Sequence, residues 1–167
     1  MLLSLSRTAE EMVPANPEDP DCQERERVVH PIDFLISTYG GNADDMFGVY
    51  DVIKSIQNNY CPVNTVGIGK VMSAGVLLLA SGTKGNRKIG KNCRVMIHHV
   101  AGGIEGTLPS MEADLESIKR MEEEYLKIMT SETNLDKRKL QKLLDKRVNI
   151  YLSAEEAISY GIADGYI

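Results

Sequence analysis

Two side chains able to carry out acyl transfer stand out: Ser73, at a strand-to-helix corner, and His98, at the end of an apolar run. A serine hydroxyl is a poor nucleophile at neutral pH until a base takes its proton, and imidazole is the side chain suited to that task. The β-branched run Val63 to Ile68 reads as a buried strand, Gly67 and Gly69 let its end turn sharply, and Ala74 to Ala80 follow as a compact helix. Ser73 then lies at a helix N-terminus, where the following backbone N–H groups point toward any carbonyl oxygen its hydroxyl attacks. The same position also suits a simple N-cap. Cys93 to Ile97 reads as a strand beside the one that feeds Ser73, so the two deliver Ser73 and His98 to one sheet edge, although a strand-end histidine can equally be a packed or surface residue.

Positioning these groups requires a layered fold. Ile32 to Ser37 reads as a strand running into Tyr39-Gly40-Gly41-Asn42, where paired glycines allow close backbone approach to a ligand. A helix follows from Ala43, with Met46, Val49, Tyr50, Ile53 and Ile56 on one face and Asp44 and Asp45 in its first turn; it ends before Pro62. With Arg87 to Ile89 as a short strand, the order is βαβαββ, an α/β pattern. The glycine-rich stretch Ala101 to Gly106 is either a loop or an extended backbone able to pair with a peptide.

Pro109 opens a long helix whose apolar stripe includes Met111, Leu115, Ile118, Met121 and Tyr125 and is either core or the face of a projecting helix. A further helix follows an Asn134 cap, with Leu140, Leu143, Leu144 and Val148 inward. Ser153 to Glu156 is a capping box for the last helix, which closes at Gly161. At the other end, residues 1–12 read as a short helix with Leu2, Leu5, Ala9 and Met12 on one side, and residues 14–31 as an exposed loop rich in proline and acid.

At 167 residues the chain suits one α/β domain. Its 19 basic and 24 acidic residues give a net charge of −5 with no basic stripe, which disfavours nucleic acid and anionic membrane as partners. Cys22, Cys61 and Cys93 are odd in number and lack metal-ligand spacing, so neither a disulfide framework nor a metal site is expected, and a reducing cytoplasm fits. No signal peptide or membrane span is read, and no cofactor is called for.

Taken together, these motifs resemble the proteolytic subunit of the Clp protease (ClpP), a self-compartmentalising serine peptidase family. Phe34 to Gly41 resembles the strand leading to that family's glycine pair, and Gly69-Lys70-Val71-Met72-Ser73-Ala74-Gly75 its nucleophile motif. Arg94-Val95-Met96-Ile97-His98 resembles its histidine motif, and Tyr151 to Ala157 with Tyr160 to Asp164 its C-terminal signature. The resemblance covers residues 32–167 and implies a crotonase-like fold, a repeated ββα spiral with a projecting handle helix from Pro109. Carried over residue by residue, it implies Ser73 as nucleophile, His98 as general base, and the N–H groups of Gly40 and Ala74 as the oxyanion hole. Gly41, Gly102, Gly103, Ile104 and Gly106 then border the bound peptide, and the handle joins two heptameric rings into a tetradecamer.

Two departures qualify this. The family's triad aspartate is replaced by Asn149, which can accept a hydrogen bond from the imidazole but brings no charge. Asn149 supporting a slower peptidase, Asp145 swinging in, and a weakly active structural subunit of a mixed ring are the three consequences to separate. A crotonase-type acyl-CoA enzyme ranks behind them, since it does not account for the serine–histidine pairing. Residues 1–31 also depart from the family's N-terminal region, so altered engagement with a Clp ATPase unfoldase is expected, as would suit a phage-encoded or secondary copy.

Overall fold

The computed structural model describes residues 9–19, 21–145 and 149–167. Its first two strands, β1 (Glu10–Pro14) and β2 (Arg25–Val29), form an antiparallel hairpin in which Glu10 faces Val29 and Pro14 faces Arg25. This corrects the sequence expectation of a helix reaching Met12 and of an exposed loop over residues 14–31. Residues 1–8 lie outside the described residues. Helical spacing of Ala9 and Met12 is outweighed by a cross-strand ladder, β-branched Val13, Val28 and Val29, and an ion pair between Arg27 and Glu10. Pro14 is tolerated because it ends an edge strand.

The main sheet is built on β4 (Val63–Met72), with β3 (Ile32–Thr38) parallel along one edge. On its other edge β4 pairs first with β5 (Arg87–Ile89), through Thr65 to Gly67, and then with β6 (Arg94–Ile97), through Lys70 to Met72. β8 (Gly165–Tyr166) extends the sheet beyond β5, and β7 (Ile150–Leu152) lies antiparallel to β6. The expected βαβαββ order is present, but β4 runs four residues past the expected end at Ile68. Gly69, at φ 66°, adopts a left-handed conformation inside the strand, so the chain bends there and resumes pairing instead of turning out. The bend curls the sheet, and the resulting mixed α/β architecture is that of the crotonase-like ClpP fold.

Helices α1 (Ala43–Asn59), α2 (Ala74–Ala80), α3 (Leu108–Glu132), α4 (Lys137–Leu144) and α5 (Ala154–Ser159) cover this sheet. Asn42 caps α1 through the N–H groups of Asp44 and Asp45, and Ser153 with Glu156 forms the expected capping box of α5. The cap of α4 is Asp136 and not Asn134: its carboxylate accepts from Lys139 N–H at 2.7 Å. Val148, expected to point inward, lies outside the described residues. Both readings of α3 apply, each to one half. Tyr125, Leu126, Ile128 and Met129 are core, while Leu108 and Leu115 are exposed on a segment that projects as a handle.

A buried cation ties the helices to the sheet. The Arg87 side chain donates through Nη1 to the carbonyl oxygens of Ala80 and Glu132, the last residues of α2 and α3, where a positive charge suits both helix dipoles. Its Nε donates to Asp164 Oδ2 at 2.9 Å, and the same oxygen accepts from Gly85 N–H at 2.7 Å. Burial pushes the Asp164 carboxyl up, but the Arg87 side chain, with backbone N–H groups, outweighs it and holds the group below its ordinary value. Stability from a depressed carboxylate is present above its unfolded pKa and lost as pH falls through the folded value. We therefore expect Asp164→Asn to cost about 3 kcal/mol in urea unfolding at pH 7, as a broken buried pair does, and to remove part of the stability loss seen below about pH 4.

Candidate active site

Ser73 follows β4 directly and precedes α2. At φ 53° it is the one non-glycine residue with positive φ among the described residues, a strained corner that lifts its side chain off the strand end. Its N–H donates to Met96 O at 2.7 Å, continuing the β4–β6 pairing by one residue. As N-cap of α2 it makes no side-chain capping bond; its hydroxyl lies 2.8 Å from His98 Nε2. The parallel register Met72↔Met96 explains the meeting, because Ser73 and His98 each emerge just beyond adjacent strand ends.

The imidazole is held in one tautomer. His98 Nδ1 is hydrogen-bonded to the backbone carbonyl oxygen of His99. A carbonyl only accepts, so Nδ1 carries the proton and Nε2 presents its lone pair to the Ser73 hydroxyl. Such a pair can pass the serine proton to imidazole as the oxygen attacks a carbonyl carbon.

The glycine loop packs directly on the serine. A Cβ on Gly40 would lie 2.5 Å from the Ser73 Cβ, and Gly40 has φ 111°. A Cβ on Gly75 would strike Thr38 Cγ2 at 2.4 Å, so this second glycine lets β3 press against the start of α2. Of the two expected oxyanion donors, Ala74 N–H lies in the first turn of α2, where amides lack intrahelical acceptors. Gly40 N–H, by contrast, donates to Thr38 Oγ1 at 3.0 Å.

Ser73, Ala74 and His98 open onto a cleft of about 630 Å³ that Gly41 also lines. Gly102, Gly103 and Ile104 form part of its wall as unpaired, exposed backbone. Gly106, expected among them, is outside that lining and packs toward Ser110 at the start of α3. A Cβ on Gly102 would meet Ile118 Cδ1 at 2.7 Å, so the segment lies close against the handle.

Asn149 is exposed immediately before β7. Extending the antiparallel register Ile97↔Ile150 by one residue sets it opposite His98, yet no hydrogen bond joins them. Asp145, one of the three alternatives, stands beside His99 here: its Oδ1 lies 3.9 Å from His99 Nε2. Glu122, on α3, accepts from His99 Nδ1. From sequence alone His99 and Glu122 have no part, since Glu122 reads as one more acid on a solvated helix face.

A family model described as Clp protease matches residues 22–167, a region that takes in β2 and everything after it. The chain is 32% identical over 136 residues to the ATP-dependent Clp protease proteolytic subunit of Deinococcus radiodurans, covering 81% of this chain and 64% of that one. It is 31% identical over 137 residues to the ATP-dependent Clp protease proteolytic subunit 2 of Gluconobacter oxydans, covering 82% of this chain and 60% of that one. The fold thus sits within a known class, and the chain belongs to the Clp protease family. It spans less than two thirds of the length of these two relatives. Among the described residues no helix is long and apolar enough to cross a membrane.

Proposed function

We propose that the protein is a Clp-type serine endopeptidase that cleaves peptides and unfolded proteins through an acyl-enzyme. The observation that carries this reading is the 2.8 Å approach of Ser73 Oγ to His98 Nε2 at the mouth of a peptide-sized cleft. Ser73 attacks the scissile carbonyl, His98 takes its proton and returns it to the leaving amine, and water then hydrolyses the ester. Ala74 N–H stabilises the oxyanion, with Gly41 in place of Gly40 as the glycine donor because Thr38 engages the Gly40 amide. Gly102 to Ile104 offer unpaired backbone to an extended substrate. Chains assemble as heptameric rings stacked through the handle, whose exposed Leu108 and Leu115 need cover, and work in a reducing cytoplasm.

The test is reaction with a fluorophosphonate, followed by intact mass. One adduct on the wild type that is absent from Ser73→Ala and strongly slowed in His98→Ala supports the reading; no adduct in assembled protein removes it. A second reading, a weakly active structural subunit, is favoured by the absence, among the described residues, of any carboxylate bonded to His98. Asn149→Asp separates the two. A carboxylate opposite His98 stabilises the imidazolium, so kcat/KM for a peptide is expected to rise about tenfold, a small part of what a triad aspartate supplies. A fall would mean that the surrounding hydrogen bonds suit an amide.

A further inference from the structure

We propose that Glu122 and His99 are positioning residues for His98, and that a backbone carbonyl anchored from the handle helix does the orienting work of the missing triad aspartate. This rests on the peptidase reading above. β6 ends at Ile97, so the peptide carrying the His99 carbonyl lies past the last ladder pair and no sheet hydrogen bond sets its orientation. Its neighbours downstream, Ala101 to Glu105, form no regular element.

What fixes residue 99 instead is its side chain. Its Nδ1 is bonded to Glu122 Oε1 near the point where α3 enters the core, while Asp145 at the end of α4 stands 3.9 Å from its Nε2. Holding the ring at 99 holds the peptide plane, and with it the oxygen that accepts from His98 Nδ1. The continuous contact path is Glu122 carboxylate, His99 ring, His99 carbonyl, His98 ring and Ser73 hydroxyl. Asn149, the residue in the triad position, is not on this path. Glu122 and His99 touch no reacting atom. Their effect is to keep the base in the tautomer that can accept a proton.

The experiment uses the full chain in two measurements. The first is the rate of fluorophosphonate adduct formation on Ser73. The second is the 15N spectrum of histidine-labelled protein, in which protonated and unprotonated ring nitrogens are distinct and only His30, His98 and His99 need assignment. Glu122→Ala and His99→Ala are each expected to slow labelling about tenfold, well short of the 10²–10⁴ that a general base supplies. Their double variant is expected to be no slower than either alone, because both act through one contact path. In each, His98 is expected to change from the Nδ1-protonated tautomer to a mixture. Glu122→Gln keeps an acceptor oxygen and should stay within about threefold of wild type, which separates anchoring from a charge effect.

His99 is only half-buried, so His99→Ala remains a usable variant if Glu122→Ala fails to fold. Labelling within twofold of wild type, or slower labelling with the His98 tautomer unchanged, overturns the proposal. If wild-type protein forms no adduct, the peptidase reading falls on its own, and the tautomer spectra still decide whether Glu122 and His99 position His98.

Discussion

Peptide hydrolysis by His98→Ala is expected to fall by about 10⁴-fold or more, and Ser73→Ala by at least as much, with the double variant no worse than the worse single. The non-additivity follows from the geometry. Oγ and Nε2 lie 2.8 Å apart, and in the proposed mechanism they share one proton transfer, so that either partner is idle without the other. Both losses should appear in kcat with KM nearly unchanged, because in the proposed mechanism neither side chain holds the flanking peptide, whose place is along Gly102 to Ile104 in the cleft wall. Stability in urea should change by less than about 1 kcal/mol for His98→Ala, as expected for a part-exposed side chain outside the core. A His98→Ala variant that hydrolysed peptide within tenfold of wild type would require a different base, and the only other histidine in the cleft, His99, is held by Glu122.

Gly40→Ala is expected to reduce kcat/KM by about 100-fold, roughly the effect of misplacing a reacting group by an ångström. Two independent causes act together. At φ 111° a non-glycine backbone carries a strain cost of about 1–3 kcal/mol. The added Cβ would also stand 2.5 Å from the Ser73 Cβ, and the serine corner, fixed by its Met96 bond, has little room to retreat. The side chain that shifts is therefore the nucleophile itself. Fluorophosphonate labelling should slow in proportion to peptide hydrolysis, whereas damage confined to substrate binding would leave the small probe reacting normally. Gly41→Ala is a useful contrast, since open space surrounds that Cβ position.

Much of this arrangement was legible in the chain, and the misreadings share a physical origin. The corner at Ser73 could be read because a β-branched run, a small-residue junction and an apolar heptapeptide are all local signals. His98 could be placed beside it because parallel strands bring their ends to one edge. The end of β4 was misjudged because Gly67 and Gly69 look like punctuation, whereas pairing with three other strands carries the chain through its left-handed residue. The hairpin was missed because Glu10 and Arg27 belong to a ladder between segments that, read separately, look like a helix end and a charged loop. Asn149 was located by motif, and the register does set it opposite His98; what the motif could not convey is that Nδ1 points to the His99 carbonyl instead. Glu122 and His99 meet across 23 residues, from an irregular segment to a helix, beyond the reach of any periodicity.

The two halves of the reactive pair are carried by backbone of very different stiffness. Ser73 terminates a strand bonded to β3, β5 and β6, and its own amide is engaged by Met96. His98 begins a stretch through Glu105 without regular backbone pairing. In hydrogen exchange the amides of β4 and Ser73 should open only with the whole domain, while those from His99 to Glu105 exchange through local opening at far lower cost. Ser73 therefore waits in place, and the lifetime of a productive pair is set by how long the softer segment keeps His98 against it. Warming the protein should thin out that paired population well before any loss of fold is detected, so that heat inactivation and unfolding separate into two events.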